Sequence, residues 1–386
     1  MERPVTGETI IQVTEYEVLE KLPDPFLMEN GRRVATEADW AERRNEIYRT
    51  AVELQYGPQP PKPEVLEVMP LRLGGKGETN VYRIRTGTKE KQLTFRMMVF
   101  LPKNQEKCPA VIDGDLCWPT MFRDEFRQPL LDNDIAIVMF DRTELLADVN
   151  DGHRGYGPMR EVYPDIDFGA IGAWAWGYSR CVDALEQLEL VDLNCIAFTG
   201  LSRGAKAAML AGVLDERAAI VNPNETNQGA CSCYRIRMKA ICEDGVERRS
   251  EELADLGKNF SFWLGSDFPK YIGRETELPF DSHYLKAMVA PRVLLVGEAA
   301  SDLWTNPIGS WQTTKAAGEV FKFLGKEENL IWYFRTGYHD QLGCDVQQLV
   351  DVIRFLRERK TLEDTFFKTP FEEPELICDW RCPERK

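Results

Sequence analysis

Histidine is scarce in this sequence, with three residues among 386. No stretch approaches the run of about 18 or more apolar residues typical of a membrane-spanning helix. Basic residues are also in the minority, because 48 Lys and Arg face 63 Asp and Glu, and the formal net charge is -15. Nucleic acid and anionic membranes would repel such a chain, so we expect neither as a partner.

Internal repeats of 20–50 residues and low-complexity tracts are absent from the sequence, which argues against solenoids and propellers. The N-terminus lacks the basic start and apolar core of a leader peptide, so the chain as written is expected to be cytoplasmic. Secretion or a periplasmic location is the alternative if a leader has been removed. The sequence does not indicate an oligomeric state.

The ten cysteines are expected to be free thiols, since long chains without a leader generally stay in a reducing compartment. Cys231, Cys233 and Cys242 lack the second, well-spaced Cys/His pair that a zinc site needs. We therefore expect no metal site and no other cofactor.

Short apolar runs alternate with helical segments through most of the chain. The runs PAVIDG, IAIVMFD, CIAFTG, AAIVNP, RVLLVGE and LIWYFRT are typical of parallel strands buried on both faces. Helices are predicted at 172–190, 203–214, 309–324 and 345–359, and the segments NVYRIRTGT and KQLTFRMMVFLP predict an antiparallel hairpin. This order indicates an α/β fold with a mostly parallel central sheet flanked by helices in three layers.

The chain divides into three predicted parts. Residues 1–70 form an N-terminal arm that packs on the core, with a helix in EADWAERRNEIYRTAVELQY followed by the Pro-rich linker GPQPPKPE. Residues 71–365 form the catalytic domain, and residues 366–386 form a C-terminal tail.

Ser202 lies in the sequence FTGLSRGAK, after the apolar run CIAFTG and before the Ala-rich segment AKAAMLAGVL. Strand, turn and helix in this order are the context in which G-x-S-x-G indicates a nucleophilic serine in an α/β-hydrolase fold. Gly200 and Gly204 would let strand and helix approach closely, and the backbone N–H of Arg203 would be suited to stabilising an oxyanion. The alternative is an ordinary serine in a turn.

A nucleophilic serine needs a general base, and the three histidines are the candidates. His339 follows the last apolar run, which is the position of the base in α/β-hydrolases. His283 lies at the predicted start of a helix, where a structural role is favoured. His153, in NDGHRGYG, precedes the serine, with a substrate-loop role or a plain loop residue as alternatives.

A carboxylate is expected to orient the histidine and stabilise its protonated form. Asp302 follows the run RVLLVGE, the usual position of the acid in this fold, and Glu225 follows the run AAIVNP. Either residue could instead be a solvated loop carboxylate, and both could contribute to the site.

The segments around these candidates resemble the glucuronoyl esterases of carbohydrate esterase family 15, over roughly residues 22–356. The segments that carry the resemblance are GAIGAWAWGYSRCVDALE, TGLSRGAKAAMLAGVLDERAAIVNPNE, LPFDSHYLKAMVAPRVLLV and SDLWTNP. The resemblance implies a triad of Ser202, His339 and either Glu225 or Asp302, without a cofactor. Many relatives have Cys where this chain has Leu201.

The resemblance also implies roles for three further side chains. The guanidinium of Arg203 would contribute to the oxyanion hole, Lys206 would contact the hydroxyl groups of a glucuronic acid ring, and Trp304 would line the sugar pocket. A helix-surface position for the two cations and a core position for the tryptophan are the alternatives.

The expected function is that of a serine esterase that forms an acyl-enzyme and acts on 4-O-methyl-glucuronoyl esters of xylan or of lignin–carbohydrate type. Its expected partner is therefore a carbohydrate ester, such as a glucuronoxylan fragment. An acetyl xylan esterase or a general carboxylesterase on the same fold is the alternative, since a triad does not select the acyl group. A binding protein without activity is a weaker alternative, and so is a peptidase that would need a propeller.

Overall fold

A nine-stranded sheet organises the chain in the computed structural model, which describes residues 12–104, 107–118, 120–152, 154–241, 245–358 and 374–385. Its strands are β2 (Val65–Arg72), β3 (Thr79–Gly87), β4 (Gln92–Phe100), β5 (Cys108–Asp113), β6 (Ala136–Phe140), β7 (Val191–Leu201), β8 (Ala218–Asn224), β11 (Val293–Ala299) and β12 (Leu330–Arg335). A smaller antiparallel sheet contains β1 (Gln12–Val18), β9 (Ile236–Ile241) and β10 (Glu247–Arg249).

The strand order across the large sheet is β12-β11-β8-β7-β5-β6-β4-β3-β2. The strands from β12 to β6 are parallel, whereas β4, β3 and β2 continue the sheet antiparallel. Each of the six apolar runs corresponds to one parallel strand, and the predicted hairpin is β3–β4. The prediction of a mostly parallel sheet is confirmed.

Helices cover both faces of this sheet. They are α1 (Glu37–Ile47), α2 (Leu54–Tyr56), α3 (Asp124–Asp132), α4 (Pro158–Val162), α5 (Ala170–Leu188), α6 (Arg203–Leu214), α7 (Leu253–Phe260), α8 (Ser282–Val289), α9 (Pro307–Phe323) and α10 (Gly343–Glu358). The helix predicted at 203–214 coincides with α6, and the other three predictions are displaced by one or two residues at their ends.

Two apolar cores separate the layers, because side chains alternate between the two faces of each strand. In β11, Leu294 and Val296 belong to the core beneath α5, α6, α8 and α9. Val293 and Leu295 belong to the other core, which α3 and α10 cover. This three-layer arrangement agrees with the predicted fold class.

The N-terminal arm contributes side chains such as Phe26 and Trp40 to the larger core. β2 crosses the predicted boundary at residue 70 and pairs with β3. In the described part of the tail, Trp380 donates its indole N–H to the carbonyl of Leu22 at 2.9 Å. The division into arm, domain and tail stays a prediction.

The nine cysteines within the described residues are free thiols, and Cys242 lies outside those residues. Of the helices in the described ranges, none is long and apolar enough to cross a membrane.

Candidate active site

Ser202 occupies a sharp turn between β7 and α6. Its backbone has φ 56° and ψ -116°, a left-handed conformation that is uncommon for serine. A Cβ atom at Gly200 would lie 2.5 Å from the carbonyl carbon of Gly204, and one at Gly204 would overlap the carboxylate of Asp115. Both glycines are therefore required by the close approach of strand and helix at this turn.

Backbone hydrogen bonds join the ends of the parallel strands on the side where Ser202 lies. Ser202 N–H donates to the carbonyl of Asn224 at 3.0 Å, and Glu225 N–H donates to that of Gly297 at 2.8 Å. Ala300 N–H donates to the carbonyl of Arg335 at 2.8 Å. These bonds fix the loops that carry the candidate serine, acids and histidine at the carboxyl ends of the parallel strands.

His339 lies on the loop after β12 and contacts a carboxylate. Its Nδ1 is 2.5 Å from Oδ2 of Asp302 and 3.9 Å from Oε2 of Glu225. With Nδ1 bound in this way, Nε2 is the nitrogen left to act as a base. Among the described residues, the Ser202 hydroxyl makes no hydrogen bond; in free enzymes such contacts often form only with substrate.

Glu225 is committed to other partners. Its carboxylate contacts the Arg335 guanidinium and accepts the backbone N–H of Asp340 at 3.0 Å. Burial raises the pKa of Glu225, and the charge of Arg335 opposes that rise. Arg335 is held in turn by Asp345 at 2.8 Å. Glu225 therefore anchors the loop that carries the histidine, while Asp302 makes the direct contact.

Lys206 is buried one helical turn after Ser202. Its ammonium group donates hydrogen bonds to the side chain of Asn227 and the carbonyl of Gln228. Burial lowers its pKa to about 8, and the charge of Glu251 opposes this change. The alternative of a helix-surface charge at Lys206 is excluded by this burial, since the residue is 2% exposed.

Glu251 is not among the residues predicted from the sequence. It is buried, and its Oε2 has no hydrogen-bond partner among the described residues. Burial raises its pKa to about 7, and the charges of Lys206, His339 and Arg203 oppose the rise. The segment RRSEELADL carries no motif, so no sequence signal marks this carboxylate.

Trp304 lies beside Glu251, whose backbone N–H donates to the Trp304 carbonyl at 3.2 Å. The tryptophan is 41% exposed, which excludes the alternative of a core aromatic. The His339 side chain is 40% exposed. The candidate site is therefore open at the surface, where a large substrate can reach it.

Arg203 begins α6, and the first N–H groups of a helix have no acceptor within it. Its guanidinium pairs with Asp148 at 3.1 Å and lies over the rings of Phe260 and Trp263. The side chain is one-third exposed. The residue that follows Ser202 in the sequence therefore carries both a backbone and a side-chain donor.

Of the other two histidines, the structure describes His283. His283 is buried at the start of α8, its Nε2 contacts the carbonyl of Pro23 at 2.9 Å, and burial lowers its pKa to about 4. His153 lies outside the described residues. Cys344 is an exposed free thiol.

The same cluster has the donor types of a metal site, since ligand atoms of Glu225, Asp302 and His339 lie within 4.8 Å of one another. Two of these residues already have partners. The Arg335 guanidinium contacts the Glu225 carboxylate, and Asp302 contacts the ring of His339. The expectation that no metal is needed stays a prediction.

Known proteins resemble the chain over most of its length. The family described as "Glucuronyl esterase, fungi" matches residues 84–325. The 4-O-methyl-glucuronoyl methylesterase 1 of Wolfiporia cocos is 27% identical over 364 residues, which cover 92% of this chain and 85% of that protein.

Solved structures also resemble the chain over most of its length. A carbohydrate esterase family 15 glucuronoyl esterase from Caldicellulosiruptor kristjansonii superposes with a TM-score of 0.83 and 28% identity, over 95% of this chain and 98% of that one. The glucuronoyl esterase catalytic domain from Hypocrea jecorina gives a TM-score of 0.77 with 25% identity, over 99% and 100% of the two chains.

Proposed function

The chain belongs to the glucuronoyl esterase family, and from this premise we propose that it hydrolyses esters of the glucuronic acid carboxyl group with Ser202 as the nucleophile. The enzyme is a carboxylic ester hydrolase. The favoured substrate is a 4-O-methyl-glucuronoyl ester, in which the acid of a xylan side chain is joined to an alcohol.

The reaction begins when the Ser202 hydroxyl oxygen attacks the ester carbonyl carbon while His339 Nε2 takes the hydroxyl proton. The carbonyl π electrons move onto oxygen, and this oxyanion accepts hydrogen bonds from the backbone N–H and guanidinium of Arg203. Collapse of the intermediate expels the alcohol, which receives the proton from His339. Water then attacks the acyl-enzyme by the same steps and releases the uronate and free Ser202.

Asp302 is the proposed triad acid. The 2.5 Å contact with Nδ1 orients the imidazole and stabilises its protonated form. Glu225 is proposed as a secondary carboxylate, since its nearest oxygen is 3.9 Å from Nδ1 and its other bonds go to Arg335 and Asp340.

The observation that carries the substrate assignment is that Lys206 and Glu251 are both buried and interact electrostatically, while the backbone N–H of Lys206 donates to the carbonyl of Ser202 at 3.1 Å. A buried ammonium and a carboxylate with an unpartnered oxygen suit the hydroxyl groups of a sugar ring, which both donate and accept hydrogen bonds. Trp304, half-exposed at the rim, offers an apolar face for the C–H groups of the same ring.

Turnover of three substrates tests this function. We expect hydrolysis of a benzyl glucuronate ester to exceed that of p-nitrophenyl acetate and of acetylated xylan in kcat/KM. The matched control is S202A, which should lose at least about 10³-fold in kcat. A preference for acetylated xylan would favour the acetyl esterase alternative, and failure of a fluorophosphonate to label Ser202 in folded protein would favour a binding protein.

The cytoplasmic location predicted for the chain as written stays a prediction, as does the secreted alternative. The proposed activity is compatible with both, on imported fragments in the first case and on the polymer in the second.

A further inference from the structure

A row of alternating charges runs beneath the Ser202 turn. Asp115 Oδ1 accepts from Arg142 Nε at 2.8 Å, and Arg142 Nη1 donates to Asp148 Oδ2 at 3.2 Å. The same Asp148 oxygen accepts from Arg203 Nη1 at 3.1 Å. Two carboxylates and two guanidiniums therefore alternate, so the row is electrically balanced.

Both ends of this row touch the turn. At one end, Asp115 Oδ2 accepts the backbone N–H of Leu201 at 3.4 Å and fills the space beside Gly204. At the other end, Asp148 holds Arg203. The residues immediately before and after Ser202 are thus tied to one chain of ion pairs, whose central Arg142 is fully buried.

Arg142 makes the centre of the row rigid. It is fully buried, and its guanidinium lies 4.3 Å from the centre of the Trp174 ring. Trp174 is fixed by its indole N–H, which donates to the carbonyl of Leu146 at 2.8 Å. A buried arginine between two carboxylates has little freedom to rearrange, because leaving either partner unpaired is costly.

Asp148 also has a partner for its second oxygen. Oδ1 accepts the indole N–H of Trp263 at 3.1 Å, and the Trp263 ring stacks on Phe260 at 4.0 Å. The Arg203 guanidinium lies over both rings, 5.0 Å and 5.2 Å from their centres. Arg203 is therefore held by the Asp148 carboxylate and by the stacked aromatic pair, whose tryptophan also binds that carboxylate.

This arrangement uses one donor of Arg203 and leaves others for the reaction. Nη1 is bound to Asp148, whereas Nε and Nη2 donate no hydrogen bond to any residue in the described ranges. We propose that Asp148 is a positioning residue, which acts through Arg203 by fixing its guanidinium where the free donors meet the oxyanion. The inference rests on the proposed function in that it assigns Arg203 to the oxyanion site.

A double-mutant cycle between D148N and R203M tests the inference in the full chain. We expect D148N to lower kcat on a benzyl glucuronate ester about tenfold with KM changed less than about twofold, since an oxyanion donor acts in the transition state. In the R203M background the same substitution should change kcat by less than about twofold. An equal loss in both backgrounds would overturn the proposal, because a merely structural defect does not depend on Arg203.

Two further variants keep the test decisive if D148N folds poorly. W263F removes the N–H that binds Asp148 and keeps the aromatic ring beneath Arg203, and we expect a two- to fivefold loss of kcat that is likewise absent in R203M. E144Q is the matched control, because Glu144 lies on the same segment but pairs with the exposed Arg96 at 2.7 Å. Its kcat should equal that of the wild type.

The rate at which a fluorophosphonate labels Ser202 separates this inference from the proposed function, since labelling needs the same donors but no sugar ester. If the wild type hydrolyses no glucuronate ester, the proposed function fails, yet slower labelling of D148N that depends on Arg203 would still support the inference. Equal labelling rates in wild type and D148N would overturn it.

Discussion

Asp302 Oδ2 lies 2.5 Å from His339 Nδ1, so the carboxylate fixes the orientation of the imidazole ring. We expect D302N to lower kcat by about 10³–10⁴-fold on a benzyl glucuronate ester, because the amide can stabilise the wrong tautomer and cannot stabilise the protonated ring. Glu225 is farther away, so E225Q should cost less than about tenfold. Steady-state kinetics with circular dichroism of each variant would measure this, and a larger loss in E225Q would reverse the assignment.

Lys206 provides a test of substrate recognition. K206M keeps most of the volume and removes the charge, so we expect kcat/KM on the glucuronate ester to fall about 10–100-fold as sugar hydroxyl groups lose a partner. Hydrolysis of p-nitrophenyl acetate, which has no sugar, should change less than about threefold. Equal losses on both substrates would show that the lysine supports the fold rather than the sugar.

Glu251 makes stability depend on pH. Burial raises its pKa from 4.5 to about 7, so the protonated form is favoured in the folded chain, and stability is lost as pH rises through the folded pKa. Glutamine cannot ionise. We therefore expect the stability of E251Q relative to the wild type to increase by about 2 kcal/mol between pH 5 and pH 8. Urea unfolding at the two pH values measures this, and a pH-independent difference would contradict it.

Gly204 is expected to tolerate no side chain. G204A would place a Cβ against the Asp115 carboxylate beneath the nucleophile turn, at a cost of about 3 kcal/mol or more. Gly318 in α9 is the matched control, because a Cβ there meets only Leu330 at 3.4 Å. G318A should stabilise the chain by about 1 kcal/mol through helix propensity. Thermal unfolding compares the two, and equal melting temperatures would contradict the packing argument.

The sheet was predictable from the sequence because each parallel strand is buried on both faces and appears as a continuous apolar run. β2 was not predicted, since its side chains are half-buried or exposed and it contains Pro70. At the site, local patterns of strand, turn and loop predict Ser202 and His339. Glu251 and Asp148 were not predicted, because each reaches the site only through tertiary packing and lies in a segment without a motif.

The left-handed backbone at Ser202 has a consequence for how the sequence can change over time. At φ 56° only glycine is relaxed, and a serine there costs on the order of 1–3 kcal/mol. Selection for a hydroxyl at this position is therefore selection against stability. In a lineage that no longer needed the esterase, replacement by glycine would meet little resistance, and the loss of activity would leave a more stable protein.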